Sequence, residues 1–232
     1  MTRVDDAELL GGLLALVAHD LRNPLSALHS NVDFLDSLVK DESAREALAD
    51  VSASCASLKH IIDNVELLGL FVKGGSKLER APVGLVDVAR DVIERVQGVA
   101  QSYGATLTLD ASGRDVRVLA HREMLARSLG NLLFNSIQHG GSSEPIALSV
   151  ASDGQSGVLI CTDSGSLLAE PLRASAFSAE GQLACKADAF GRYSRGLGLF
   201  SARIAAEMAG VEVNALPTLN GKNRFELRAK LG

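Results

Sequence analysis

The sequence predicts an α + α/β protein. An antiparallel two-helix hairpin comes first and pairs with a second copy into a dimeric four-helix bundle; an α/β sandwich follows. Three observations predict this. Two successive runs between Leu10 and Val72 place apolar residues three or four apart. A break at Lys73, Gly74, Gly75 and Ser76, with Pro82 just beyond, then ends the helical pattern. From Val83 onward, helix-like and strand-like segments are mixed without strict alternation, the signature of a layered α+β arrangement. The chain has 232 residues, 47% of them hydrophobic and 22% charged, which excludes disordered and collagen-like architectures and leaves room for one large or two small domains.

In the first run the apolar positions are Leu10, Leu14, Val17, Leu21, Leu25, Leu28, Val32, Leu35 and Val39, alternating in spacing except for one repeated step of four that ends at Leu25. After Lys40, Asp41, Glu42 and Ser43 the second run has Leu48, Val51, Cys55, Leu58, Ile62, Val65, Leu68 and Val72. The short loop makes the two helices antiparallel, and two isolated helices leave too much of these seams in water, so a homodimer is expected. The expected domains are residues 1–76, the hairpin, and 82–232, the sandwich. Within the latter, a helix over Leu85 to Ser102 precedes strands at Ala105 to Asp110 and Val116 to Leu119. A helix over Arg122 to Gln138 and strands at Pro145 to Ala151 and Gly157 to Thr162 follow, then a polar loop-rich stretch. A helix from Leu197 to Ala209 and strands near Val211 to Leu216 and Arg224 to Lys230 close the chain.

Several function classes drop out. The most apolar run, Leu9 to Ala18, stops at His19 and Asp20, short of the ~20 residues a membrane-spanning helix needs. The start carries Asp5, Asp6 and Glu8 where a signal peptide needs positive charge, so no membrane insertion and a cytoplasmic location are expected. Cys55, Cys161 and Cys185 have no metal-ligand spacing, and their odd number suits a reducing compartment. A net charge of −5 argues against nucleic acid as a partner.

His19 stands two residues before Leu21, a rotation of roughly 200° from the apolar seam, so it is expected at the surface. Asp20 beside it is able to hold or take a proton from one ring nitrogen and leave the other as a neutral nucleophile. Pro24 removes the amide that would bond the Asp20 carbonyl, which makes the helix bendable next to His19. An ordinary surface histidine beside a helix-kinking proline satisfies the same pattern. His29, His60 and His121 lack that acid and proline context and read as surface or capping residues; Cys55, at a seam position, reads as core.

The stretch His19-Asp20-Leu21-Arg22-Asn23-Pro24-Leu25, at the start of a helical hairpin, resembles the H-box of two-component sensor histidine kinases. The resemblance implies that His19 accepts a phosphoryl group, that Asp20 assists, and that Asn23 orients the water that hydrolyses a partner's phospho-aspartate.

Farther along, Asn131, Asn135 and His139 recur every four residues on one face of an apolar helix, and carboxamides suit Mg²⁺ and phosphate because each offers an oxygen and an N–H. A capped core helix reads the same. The stretch Leu129 to His139 is similar to the family's N-box, which implies Asn135 as the metal ligand. Ile160-Cys161-Thr162-Asp163-Ser164-Gly165 is similar to the G1 box, in which the aspartate reads the adenine amino group and the glycine, here Gly165, follows it. Ser194-Arg195-Gly196-Leu197-Gly198-Leu199 resembles the G2 box, where Arg195, Gly196, Gly198 and Leu199 open a helix toward phosphates. Gly221 to Leu231 fits the closing strand. These motifs stand in the family's order over about residues 9 to 230, and they imply a Bergerat-type (GHKL) ATP-binding sandwich using ATP and Mg²⁺.

Three departures accompany the match. Leu167 replaces a second G1 glycine, and Gln138 stands where a basic residue is usual, with Arg195 or Lys186 as substitutes. The lid from about Phe177 to Arg195 lacks a clear signature, although Phe177 fits the F-box anchor.

The expected activity is autophosphorylation of His19 from ATP and transfer to a response-regulator aspartate. The alternative is a phosphotransfer protein, phosphatase or scaffold that keeps His19 but does not use ATP. Only a few residues precede the hairpin, so the signal is expected to come from a separate upstream sensor protein.

Overall fold

The computed structural model describes the chain except for residues 1–2, 75–77, 112–115, 140–143, 166, 169–172, 174 and 182–196. It divides into two compact units, Met1–Gly75 and Ser76–Gly232.

The first unit is a hairpin of α1 (Arg3–Leu38) and α2 (Glu42–Val72). Asp41 starts α2 as its N-cap, accepting the Ala44 amide at 3.0 Å. Ala18 and Leu25 of α1 pack against Cys55 and Ile62 of α2. At the open end, Gly11 and Gly69 let the two backbones touch: a Cβ on Gly11 would lie 2.8 Å from the Gly69 carbonyl oxygen. Along α1 the covered line is Gly11, Ala18, Leu25 and Val32, one residue every second turn.

Here the structure divides what the periodicity presented as one seam. Leu10, Val17, Leu21, Leu28 and Leu35, with Val51 and Leu58 of α2, are exposed. A single neighbouring helix covers only the Ala18–Leu25 line, and the second apolar line lies beside it. At ~100° per residue, Leu21 and Leu28 fall on one side of that line and His19 and Arg22 on the other. In the same way, Leu58 and Asp63 fall on opposite sides of Ile62 in α2. The hairpin therefore has an apolar flank and a polar flank. Helix α1 runs without interruption through Pro24.

The second unit contains β1 (Ala81–Gly84), α3 (Leu85–Ser102), β2 (Leu107–Asp110), β3 (Arg117–Ala120), α4 (Arg122–His139), β4 (Ile146–Ser152), β5 (Ser156–Asp163), α5 (Gly198–Ala209), β6 (Glu212–Leu219) and β7 (Lys222–Lys230). The five-stranded sheet has the order β2-β4-β5-β7-β6, with β2 and β4 parallel and the other pairs antiparallel. One face buries Ile146, Leu148, Leu159, Cys161, Phe225 and Leu227 beneath the helices. Thr162, Arg224 and Arg228 on the opposite face are half-buried. Two helices, α4 and α5, are tied together by the Ser128 hydroxyl, which donates to the Ala202 carbonyl at 2.8 Å.

Strand β1, which the Pro82 stretch concealed, pairs with β3 in a separate two-stranded sheet, Pro82 opposite Leu119. An edge strand needs no N–H on its outer side, so proline is tolerated there. Strand β2 starts at Leu107 and not at Ala105, because the Ala105 amide bonds back to Ala100 and, with Gly104 at φ 64°, closes α3. His121 caps α4, its Nδ1 accepting the Met124 amide at 3.3 Å.

Candidate functional site

In the first unit, His19 and Asp20 both project into solvent, with 68% and 70% of their side chains exposed. The ring turns Nδ1 toward Asp20 Oδ1 at 3.4 Å, which leaves Nε2 facing outward as the free nitrogen. Asn23 and Pro24 are exposed on the following turn. Arg22 turns the other way: its Nη2 donates to Asp63 Oδ1 at 3.0 Å and to Glu66 Oε2 at 3.2 Å on α2. The pair with Asp63 is the main reason its guanidinium pKa is raised. This tie between H-box and α2 was not anticipated, although Asp63 and Glu66 stand three apart on the α2 face next to Ile62.

In the second unit the two asparagines of α4 are buried. Asn131 is 5% and Asn135 9% exposed, and His139 is half-buried at the end of the helix. Asn131 Nδ2 donates to the Arg127 carbonyl at 3.0 Å. Its Oδ1, and the Nδ2 of Asn135 one turn on, are buried without a hydrogen-bond partner. An unsatisfied buried amide atom costs about 1–3 kcal/mol unless a ligand or water meets it, and these two, an acceptor and a donor, lie one turn apart on α4. Among the described residues no cluster of three or more His, Cys, Asp or Glu side chains would hold a metal ion. Of the described residues on this face of α4, the asparagines offer a metal a carboxamide oxygen, and a bound phosphate would supply further oxygens. Nearby chemistry agrees: α5 begins at Gly198 with no side-chain cap on its first amides. The residues fit a magnesium-bound phosphate.

Asp163, at the end of β5, is 1% exposed and held by three protein donors. The Ser136 hydroxyl donates to Oδ2 at 2.8 Å, while Asn223 Nδ2 and the Gly165 amide donate to Oδ1 at 3.0 and 3.1 Å. Asn223 Oδ1 in turn accepts the Leu168 amide at 2.9 Å. Asp163 thus stitches α4, β5, β7 and the following loop together. Ser136 and Asn223 were missed by the sequence reading; Ser136 follows Asn135 directly, and Asn223 opens the closing strand opposite Asp163.

Leu199 is 1% exposed and belongs to the core, so only its backbone is available at the α5 terminus. Phe177 is buried edge-on to Phe225, with ring centroids 6.2 Å apart, and its carbonyl accepts Arg203 Nε at 3.0 Å. Arg195 and Gly196, with Lys186 and Cys185, lie outside the described residues. Among the described residues no helix is long and apolar enough to cross a membrane.

Residues 9–69 match the His Kinase A (phospho-acceptor) domain family. The sensor histidine kinase YcbM of Bacillus subtilis is 25% identical over 160 residues, covering 68% of this chain and 51% of its own. The sensor histidine kinase ZraS of Salmonella typhimurium is 30% identical over 167 residues, covering 71% of this chain and 35% of its own. The chain spans about half of the length of the first of these relatives and about a third of the second. Among solved structures, full-length ShkA in complex with AMPPNP has a TM-score of 0.63 at 20% identity, covering 95% of this chain and 46% of that one. The Acinetobacter baumannii histidine kinase AdeS gives 0.59 at 17% identity, covering 92% and 98%.

Proposed function

We propose that this chain, in which a His Kinase A phospho-acceptor domain precedes a catalytic fold of the GHKL type, phosphorylates its own His19 from ATP. It then passes the phosphoryl group to the receiver-domain aspartate of a response regulator. The observation that carries ATP use is the pair of buried, unpartnered carboxamide atoms of Asn131 and Asn135.

In this reading Asn131 and Asn135 bind the phosphate end of ATP, and Asn135 is the residue to hold Mg²⁺. When bound, that ion neutralises charge on the phosphoryl oxygens. The uncapped amides at the start of α5 complete an anion site at a helix N-terminus. Asp163 is the candidate reader of the adenine amino group. The proposed acceptor and nucleotide side chains belong to different units.

His19 Nε2 attacks the γ-phosphorus; the Nε2–P bond forms as the bond to the ADP oxygen breaks. Asp20, already facing Nδ1, holds the tautomer that leaves the Nε2 lone pair free and accepts the Nδ1 proton as the ring becomes phosphorylated. Asn23, exposed on the next turn, is the candidate for the opposing activity, orienting water toward a partner's phospho-aspartate.

The uncovered leucines of the hairpin support a homodimer. Leu21, Leu28, Leu35, Val51 and Leu58 form a continuous apolar flank that a second copy covers in a four-helix bundle, leaving the His19 flank free for ATP and the receiver domain.

A second reading has its own observation. Asp163 is 1% exposed and protein donors reach both of its oxygens, which leaves little of the carboxylate open to an adenine amino group. On this reading the second unit does not use ATP, and His19 relays phosphoryl groups between receiver domains. Incubation with Mg²⁺ and γ-labelled ATP, beside a His19→Gln control, separates the two. Acid-labile, base-stable label on the wild-type chain alone is the expected result; absence of label from a folded chain selects the relay.

A further inference from the structure

We infer that Arg22 is a positioning residue for the phosphoryl group on His19, shared between that group and the carboxylates of α2; the inference rests on His19 being the phospho-acceptor. Arg22 follows His19 by three residues, so their side chains are neighbours on the helix surface. The guanidinium points to α2, and rotation of the side chain toward the N-terminal turn, the direction in which helical side chains lean, brings it to the turn that bears His19. Ala18, four residues before Arg22, presents only a methyl group and is 1% exposed. The guanidinium reaches Asp63 and Glu66 of α2.

The charges on this flank are Asp20 on α1 and Lys59, Asp63 and Glu66 on α2. Arg22 is one cation between two carboxylates, and all three side chains remain between about a third and a half exposed, at 35%, 43% and 33%. Ion pairs at that exposure are weak and exchangeable. A phosphoryl group brings nearly two negative charges and three acceptor oxygens to the neighbouring turn, and the arginine fork suits two of those oxygens at once. Phosphorylation therefore draws Arg22 away from Asp63 and Glu66. This relaxes the tie between the helices on the turn that ends at Pro24, where α1 already lacks a backbone hydrogen bond.

The test uses the full chain and a donor that needs no nucleotide site. Phosphoramidate labels histidine directly: the Nε2–P bond forms as the donor's P–N bond breaks, and ammonia leaves with the imidazole proton. The Nε–Hε resonance of Arg22, assigned by its absence from Arg22→Lys, is expected to shift when the wild-type chain is labelled and to stay in place in treated His19→Gln. Labelling is expected to slow about tenfold in Arg22→Gln and to recover largely in Arg22→Lys. An Arg22 resonance unmoved on a labelled His19 overturns the inference alone, even if Arg22→Gln is slow, because a merely structural role also slows labelling. Failure to label His19 overturns the acceptor reading with it.

Discussion

The two units hold their functional groups in opposite ways. In the hairpin, His19 and Asp20 stand in solvent on one helix, steadied by a single 3.4 Å contact. In the α/β unit, Asp163 is 1% exposed and fixed by donors from α4, β7 and its own turn. The difference follows from what each must meet. The proposed function accounts for this: an acceptor that is to serve both a phosphate donor and a receiver domain needs open access from outside, whereas the proposed nucleotide site needs a rigid set of groups. The packing repeats the contrast: half of the hairpin's apolar positions are uncovered, while the sheet's inner face is sealed.

The largest expected effect breaks one region without touching the other. Asn135→Ala is expected to lower labelling of His19 from ATP about 100-fold, the scale for losing one electrostatic contact to a transferring group. Labelling by phosphoramidate should stay unchanged; equal loss by both donors would show that Asn135 supports the fold and not the nucleotide.

Within the hairpin, Ile62→Ala removes a side chain from the covered line and is expected to lower unfolding stability by roughly 2–5 kcal/mol. Leu58→Ala, one turn away on the open flank, should lower it by less than about 1 kcal/mol at dilutions where the chain is monomeric. Denaturation at several protein concentrations compares them. A Leu58→Ala penalty that grows with concentration locates the dimer contact on that flank, and one that ignores concentration removes the flank from any dimer.

A further variant tests the buried network. Asp163→Asn replaces an acceptor oxygen by an N–H facing existing donors, and a loss of about 1–3 kcal/mol in the α/β unit is expected by chemical denaturation. Melting at the wild-type midpoint would mean that the carboxylate contributes nothing to the fold and stands free for a ligand.

Much of this arrangement was legible beforehand because it depends on local periodicity and turn chemistry. The four-residue recurrence of Asn131, Asn135 and His139 needs only the helical repeat to share a face. The span of α3, Leu85–Ser102, follows from its apolar pattern. Another signal stood in the sequence unused: Asn220 and Gly221, at φ 53° and 70°, make the tight turn that fixes β6 against β7. Strand β1 was not legible, since proline is a good breaker signal and only pairing with β3 makes it a strand.

By itself, the sequence determined the hairpin, its short loop, the exposure of His19, the helical face of the two asparagines and the glycine-marked ends, because each depends on residues within a few turns of one another. Only the tertiary structure decided which apolar line the hairpin covers, that Arg22 is tied to Asp63 and Glu66 some forty residues away, and that Ser136 and Asn223 close on Asp163. Those outcomes depend on which surfaces meet when distant segments pack, and periodicity along one helix carries no information about the side chain that arrives from another.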